Sequence, residues 1–363
     1  MYLQGCISRR RVLQGEVCSS RSPCLACSAG SVLCHHVPVR GFVANTDYDW
    51  FTWLRAIEPP IDEVNFWKPG SGTNFGALVP GEPLFFKLKA PYNAIAGFGY
   101  FAHFSRLPVS MAWEVYGEAN GARSFPEMRE RLVRIRLRFD RTTDRKQDFW
   151  IGCILVNQPV FFEERDWIRV PADFKGPTVQ GKTYDLTAGE GERVWMECLA
   201  LAARRPNWPM PYAITPAAPR EDRIADALIP SGYGALAAIR PRLGQRSFRV
   251  VVLDSYGRRC AVTSERTLPA LEAAHIRDYR DVQEHAISNG ILFRADIHKL
   301  FDSGYVTVTP DYHFLVSRRI KEEFENGRDY YALHGSAIRL PQDVADRPAA
   351  ASLIWHNEQR FLG

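Results

Sequence analysis

Short apolar and aromatic runs, each bounded by glycine, proline or charged residues, recur from residue 41 to about residue 180. Among them are DYDWFTWLR, EVNFWKP, EPLFFKLK, AIAGFGYF and FWIGCILVNQPVFF. Runs of this length that are rich in aromatic and β-branched residues and end at turn residues are typical of β-strands. The pattern therefore predicts a compact β-rich domain over residues 41–180.

Within this region, SFPEMRERLVRIRLRF predicts a short helix that leads into a strand. In that strand Arg134, Arg136 and Arg138 alternate with apolar residues, and a period of two places the three guanidinium groups on one face. A solvated strand face is the ordinary interpretation of such a row. Because like charges about 7 Å apart repel one another, contact with DNA phosphates is the alternative.

The pattern changes after residue 180. The segment GERVWMECLALAARR predicts a helix, and the Pro-rich segment after it is typical of a linker, so we assign residues 181–235 to a helical and Pro-rich linker between two halves that swivel. A second domain is expected over residues 236–340, with a helix around SFRVVVLDSYG, two short β segments, a helix at RADIHKLFDSG and a strand at YVTVTP. Residues 341–363 form a C-terminal tail with a packed helix.

Composition narrows the class of protein. The 363 residues are 46% hydrophobic and 24% charged, which excludes a disordered or fibrous chain. A net charge of +5 is too small for a wholly electrostatic nucleic-acid binder, although it allows local basic faces. No apolar run reaches the roughly 18 to 20 residues of a membrane helix. The arginines in SRRRVLQ precede no apolar core of an export signal, so we expect a cytoplasmic protein without membrane contact.

Five of the eight cysteines lie within the first 34 residues. Cys24 and Cys27 form a CxxC that is followed by Cys34 and two histidines, which are the ligand types of a zinc knuckle. The interval between Cys27 and Cys34 is short, however, and the flanking residues show no strand or helix pattern. We therefore interpret residues 1–40 as a disordered, Cys-rich leader, with a zinc knuckle as the alternative.

The residues that carry chemistry concentrate in CAVTSERTLPALEAAHIRDYRDVQEHAISNGILFRADIHKLFDSG, residues 260–304. His275 on a β segment can act as a general base toward water, because an imidazole titrates near neutral pH. Asn289, fourteen residues later, can pin the loop that holds His275. His298 and Asp302 lie one turn apart on a predicted helix and present a nitrogen and an oxygen on one face, a half-shell for a divalent metal.

This stretch resembles the HNH nucleases of the ββα-metal fold, in particular a bacterial subgroup with the pattern CAVTG, LEAAHI, NGLLLRADLHRLFDRG and a VTV strand. The similarity covers roughly residues 236–360. It implies a phosphodiesterase that uses Mg²⁺ or Mn²⁺, in which His275 is the general base, Asn289 stabilises the loop and His298 is a metal ligand.

Two departures from the family pattern matter. Ala274 occupies the position where many HNH enzymes carry a further metal ligand, so the shell must be completed by Asp302, Asp296 or Glu272. Cys260 lacks a CxxC partner, so the zinc ribbon that braces some HNH domains is absent. Arg277, two residues after the base, is expected to hold the scissile phosphate, with a surface salt bridge as the alternative.

The aromatic N-terminal segments WFTWLR, DEVNFWKP, GEPLFFKLK and IAGFGYF are similar to the PUA-like superfamily, in particular EVE-type domains, over about residues 41–170. The resemblance implies a pocket that holds a base flipped out of the duplex between aromatic rings. The candidate base-binding residues are Trp50, Trp53, Asn65, Trp67 and Trp113. Filling of the core is the alternative for each ring.

We therefore predict an α+β protein, with an N-terminal PUA-like β-barrel domain and a C-terminal ββα-metal HNH nuclease domain. The expected function is restriction of double-stranded DNA that carries modified cytosine, in defence. One HNH site cuts one strand, so a homodimer or two binding events are expected. The alternatives are an HNH nuclease that reads no modification, with a ligand- or protein-sensing N-terminal domain, and a non-catalytic DNA-binding protein.

Overall fold

The computed structural model describes residues 40–138, 144, 146–175, 180–204, 243–278 and 286–363. The predicted leader, with its candidate zinc ligands, lies outside the described residues apart from Arg40. The Pro-rich part of the predicted linker lies outside them as well. Residues 38–363 form one compact unit, which contains both predicted domains.

A seven-stranded mixed sheet forms the N-terminal half. Its strands are β1 Arg40–Thr46, β2 Glu63–Lys68, β3 Pro83–Leu88, β4 Ala94–Pro108, β5 Trp150–Phe161, β6 Ile168–Arg169 and β7 Gly181–Asp185. They lie in the order β2, β5, β4, β3, β1, β7, with β6 paired to β4, and β1 with β3 is the parallel pair. Four helices accompany the sheet: α1 Tyr48–Arg55, α2 Val109–Tyr116, α3 Phe125–Arg136 and α4 Gly189–Ala202.

Both faces of the sheet are covered, and this explains the continuous apolar runs in the sequence. All six residues of β3 are buried. Successive side chains of a strand point to opposite faces. Phe86 accordingly packs edge-on against Trp50 of α1, whereas Phe85 packs edge-on against Trp195 of α4. The prediction of a β-rich N-terminal half is confirmed, and much of its aromatic content is core.

The row of arginines lies at the end of a helix, so the strand predicted for residues 134–138 is wrong. Ser124 caps α3 by accepting a hydrogen bond from the backbone N–H of Glu127. Met128 and Leu132, four residues apart, are both buried. The same residues that alternate at period two therefore also supply an apolar stripe at helical spacing, and packing against the sheet selects the helix.

The predicted linker begins too early. Strand β7 pairs antiparallel with β1, and α4 buries Val194, Trp195 and Cys198 against the sheet. Residues 181–202 therefore belong to the N-terminal half. Residues 205–235 of the predicted linker lie outside the described residues.

The C-terminal half combines five helices with two small hairpins: α5 Gln245–Ser255, β8 Leu271–His275, β9 Gly290–Arg294, α6 Ala295–Asp302, β10 Val306–Val308, β11 Phe314–Val316, α7 Arg319–Phe324, α8 Arg328–Tyr331 and α9 Ala350–Gln359. β8 pairs antiparallel with β9, and β10 with β11. The predicted α+β class is confirmed. None of the described helices is long and apolar enough to cross a membrane.

Helix α5 joins the two halves through buried polar contacts. Glu63 of β2 is 1% exposed, and its carboxylate accepts hydrogen bonds from the backbone N–H groups of Arg246 (2.9 Å) and Ser247 (3.0 Å). Burial raises the pKa of Glu63, and these hydrogen bonds oppose that shift. The Ser247 hydroxyl donates to Asn157 Oδ1 of β5 at 3.1 Å. One apolar core continues from the sheet through α5 into the C-terminal half.

Replacement of Glu63 by alanine is expected to lower the free energy of unfolding by about 2–4 kcal/mol, because two buried backbone N–H groups lose their acceptor. Glu63→Gln retains an acceptor and is expected to lose less. Urea unfolding followed by tryptophan fluorescence measures both values. An alanine variant as stable as the wild type would contradict the capping role of Glu63.

Candidate active site

The hairpin β8–β9 and helix α6 form a ββα unit that carries most of the predicted catalytic residues. His275 at the end of β8 pairs with Gly290 at the start of β9, and α6 begins directly after β9. A Cβ on Gly290 would lie 2.7 Å from Val252 Cγ2 and 2.8 Å from Phe248 Cζ, so glycine allows α5 to approach the hairpin closely. This packing brings α5 next to His275.

The His275 ring stacks on Phe248 of α5. The ring centroids are 4.0 Å apart and the planes differ by 11°. Such a stack restricts the orientation of the imidazole while its edge, which carries both nitrogens, stays clear of the phenyl face. His275 also lines a cavity of about 550 Å³. It therefore combines a restrained ring with access to an open cavity, as a general base requires.

Asn289 fixes the backbone that follows His275. Its side-chain carbonyl accepts from the Arg277 N–H at 3.0 Å, and its amide donates to the Arg277 carbonyl at 2.9 Å. Its backbone carbonyl accepts from the Ile276 N–H at 2.9 Å. Asn289 is 3% exposed, so these bonds are protected from water. The loop contact predicted for Asn289 is present, and its effect on catalysis stays a prediction.

His298 of α6 lies between two carboxylates. Its Nδ1 is 2.7 Å from Glu272 Oε2 on β8, and its Nε2 is 3.3 Å from Asp302 Oδ2 one turn further along α6. Partial burial raises the pKa of Asp302, His298 opposes that shift, and the nearby Asp278 and Glu272 carboxylates add to it. The negative groups around His298 make this end of the cavity suitable for a cation.

The donor types at His298 fit a hard divalent cation, because two carboxylates and an imidazole are common ligands of Mn²⁺ and acceptable ones of Mg²⁺. In the part of the chain that the structure describes, no three His, Cys, Asp or Glu side chains already converge as a metal site. Both ring nitrogens of His298 face carboxylates. One of these contacts must therefore open before His298 can bind a metal.

The cavity draws on both halves of the molecule. Glu114 of α2 and Arg249 of α5 line it and form an ion pair with a 2.6 Å contact. Trp355 of α9 and Arg360, directly after α9, line it as well. The sequence analysis selected none of these four residues. They lie outside the 260–304 stretch and follow no motif, so only the fold brings them to His275.

Asp296 is not at the metal site, so its prediction as a ligand is wrong. Its carboxylate pairs with Arg294 at 2.6 and 2.7 Å and accepts from the Tyr330 hydroxyl at 3.1 Å. These bonds lower the pKa of Asp296. Residues two apart on a helix point in nearly opposite directions, which separates Asp296 from His298.

The predicted phosphate contacts divide in the structure. Arg134 pairs with Glu130 one helical turn earlier, and Arg136 donates to the backbone carbonyls of Pro69 and Trp150, so no common phosphate-binding face exists for the row. Arg138 is exposed after the end of α3. The expectation for these three arginines is therefore wrong.

Arg277 is placed differently. Its backbone is held by Asn289, and its guanidinium carbon lies 5.3 Å from the centroid of Trp355, a residue of the cavity wall. Its role in phosphate binding stays a prediction.

Two of the five predicted base-binding residues are core residues. Trp50 is 4% exposed, and Asn65 is fully buried and donates to Asn120 Oδ1 at 2.9 Å. A flipped base reaches neither of them without opening the sheet, so both predictions are wrong. The side chains of the other three are half-buried: Trp53, Trp67 and Trp113. For these the prediction stays open.

Residues 260–309 match a family model described as HNH endonuclease. The match includes β8, β9 and α6, which carry His275 and His298, so the C-terminal half contains an HNH nuclease segment. Among solved structures, ASCH from Zymomonas mobilis is similar at 15% identity over 42% of this chain and 94% of that chain, with a TM-score of 0.28. Two variants of that protein give a TM-score of 0.27, at 15% and 13% identity over 42% and 44% of this chain, and 96% and 97% of theirs. No curated protein is similar enough to be matched.

Replacement of Phe248 by leucine keeps the buried apolar volume and removes the stack on His275. We expect kcat for phosphodiester cleavage to fall roughly tenfold or more with KM little changed, because misplacing a catalytic group affects the chemical step. Val250→Ala is the control, since Val250 is buried on the same helix and makes no ring contact with His275. Equal losses of kcat in both variants would show that Phe248 contributes only to folding.

Proposed function

We propose that the chain is a metal-dependent DNA endonuclease that hydrolyses phosphodiester bonds in the cavity between His275 and His298. One observation carries the proposal. The ring-stacked His275 and the cluster of His298, Glu272 and Asp302 open into the same cavity, on a ββα unit within the segment that matches the HNH endonuclease model.

In this proposal His275 accepts a proton from the water that attacks phosphorus, and the P–O bond to the leaving oxygen breaks. Phe248 restrains the ring of His275 and Asn289 restrains its loop, so the base stays directed at the cavity. A Mg²⁺ or Mn²⁺ ion held by His298 with Glu272 or Asp302 would stabilise negative charge on the phosphate and on the leaving oxygen. Ala274 is buried and has no ligand atom, which leaves Glu272 as the donor from β8.

We further propose that the N-terminal half recognises modified cytosine in double-stranded DNA. The resemblance to EVE-type domains supports this, and so does the chemistry of Trp53. The indole N–H of Trp53 is buried without a hydrogen-bond partner, and the Arg123 guanidinium lies 5.4 Å from its ring. A buried donor without an acceptor and a ring beside a cation suit a ligand with a π-face and a polar edge. An HNH nuclease with an N-terminal ligand or protein sensor is the alternative.

A single HNH site cuts one strand, so restriction requires two sites or two events. We propose a homodimer on the DNA as the simplest arrangement. The chain is proposed to act in the cytoplasm, where its DNA substrate lies.

Cleavage of otherwise identical duplexes that carry cytosine, 5-methylcytosine or 5-hydroxymethylcytosine, with Mn²⁺ present, tests the whole proposal. Cutting of the modified duplexes alone is expected, and His275→Ala is expected to lower its rate by about 10²- to 10⁴-fold with DNA affinity nearly unchanged. Equal cutting of all three duplexes would favour the alternative. No cutting of any duplex by the wild type would overturn the nuclease proposal.

Titration of the protein with Mn²⁺ by calorimetry tests the proposed ligands. Asp302→Asn and Glu272→Gln are each expected to weaken Mn²⁺ binding by roughly tenfold or more, because each removes a charged oxygen donor. Asp296→Asn is the matched control on the same helix, since Arg294 and Tyr330 already hold that carboxylate. The ligand assignment is wrong if Asp296→Asn weakens binding and Asp302→Asn does not.

A further inference from the structure

We propose that Trp355 and Arg360 of the C-terminal segment join Arg277 in a subsite that binds a backbone phosphate of the DNA beside the reacting bond. The inference rests on the proposed function and names the residues that hold its substrate. Trp355 and Arg360 line the same cavity as His275 and His298. No other role in the molecule accounts for two arginines gathered on one tryptophan at the edge of the nuclease cavity.

The first step is the geometry of the cluster. The guanidinium carbons of Arg277 and Arg360 lie 5.3 and 5.8 Å from the centroid of the Trp355 ring. Contact of this kind holds a guanidinium by its face and leaves its N–H edge available for other partners. The backbone of Arg277 is clamped by Asn289, two residues after His275. The Arg277 side chain therefore starts from a fixed point next to the catalytic base.

The second step is the balance of charge. Arg360 pairs with the Asp278 carboxylate. The Arg277 Nε is buried without a hydrogen-bond partner, and within the described residues no carboxylate pairs with its guanidinium. Two cations next to one indole thus have one carboxylate between them. An additional anion would satisfy the buried Nε and relieve the repulsion between the two arginines.

The third step is the kind of anion. A guanidinium fork matches the oxygens of a phosphate, and Arg277 follows the base by only two residues. A duplex whose reacting phosphorus lies between His275 and His298 places further backbone phosphates along the cavity wall, where Trp355 and Arg360 stand. The subsite is therefore assigned to a phosphodiester of the DNA backbone. Free inorganic phosphate shares the chemistry and is compared directly in the test.

The experiment measures duplex binding by fluorescence anisotropy from low to high salt, in the full chain carrying His275→Ala so that the DNA stays intact. Each phosphate contact contributes about 0.9 to the slope of log K against log salt. Arg277→Gln and Arg360→Gln are each expected to lower that slope by about one and to weaken binding about tenfold. Arg360→Lys keeps the charge and is expected to restore the slope.

Two further variants separate binding from folding. Arg319→Gln is the control, because Arg319 pairs with Glu323 on α7 and does not line the cavity. It is expected to bind like the parent. Asp278→Asn releases Arg360 from its carboxylate and is expected to tighten DNA binding several-fold, which damage to the fold would not do.

Unchanged slopes in both Gln variants would overturn the subsite while leaving the nuclease proposal intact, provided that the wild type cuts DNA. A wild type that neither binds nor cuts DNA would overturn both. Competition by inorganic phosphate at the concentration of duplex phosphates would assign the subsite to free phosphate and overturn its assignment to DNA.

Discussion

The position of α5 is the constraint on which the active site depends, and a buried carboxylate sets it. Removal of the Glu63 carboxylate from water is costly unless hydrogen bonds satisfy it, and the N-terminal N–H groups of a helix supply both donors and a favourable dipole. Gly244 leaves the necessary space, since a Cβ there would lie 2.1 Å from Glu63 Cδ. From this fixed end α5 carries Phe248 to the ring of His275. A residue of the N-terminal sheet thus determines where the catalytic imidazole lies.

The other end of α5 is also tied to the sheet. His103 of β4 contacts Asp254 at 2.9 Å, and Arg258 donates to the backbone carbonyl of Arg106 at 2.6 Å. A helix anchored at both ends within a shared apolar core does not permit the swivelling that a Pro-rich linker indicates. Any effect of base binding on cleavage must therefore pass through small displacements of packed side chains on α5, because close-packed cores shift between discrete arrangements.

The features predicted well from the sequence are those that neighbours in the chain determine. β8, β9 and α6 are contiguous segments with clear strand and helix patterns, and His298 with Asp302 follows from one helical turn. The strand proposed around Arg134 failed because period two and the helical period fit the same residues, and only the sheet beneath α3 decides between them. Trp50 failed because aromatic content alone does not distinguish a pocket from a core. Glu114 and Trp355 reach His275 only through tertiary packing, which no local pattern records.

The charges that line the cavity indicate an order of binding. Glu114 neutralises Arg249 and Asp278 neutralises Arg360, so the Glu272 and Asp302 carboxylates remain as excess negative charge beside His298. This excess repels a phosphodiester until a cation offsets it, because charges within a cavity are poorly screened. A divalent ion at Glu272 and Asp302 both compensates the carboxylates and attracts the phosphate. Metal and DNA should therefore each increase the affinity for the other, since linkage between two binding sites is reciprocal.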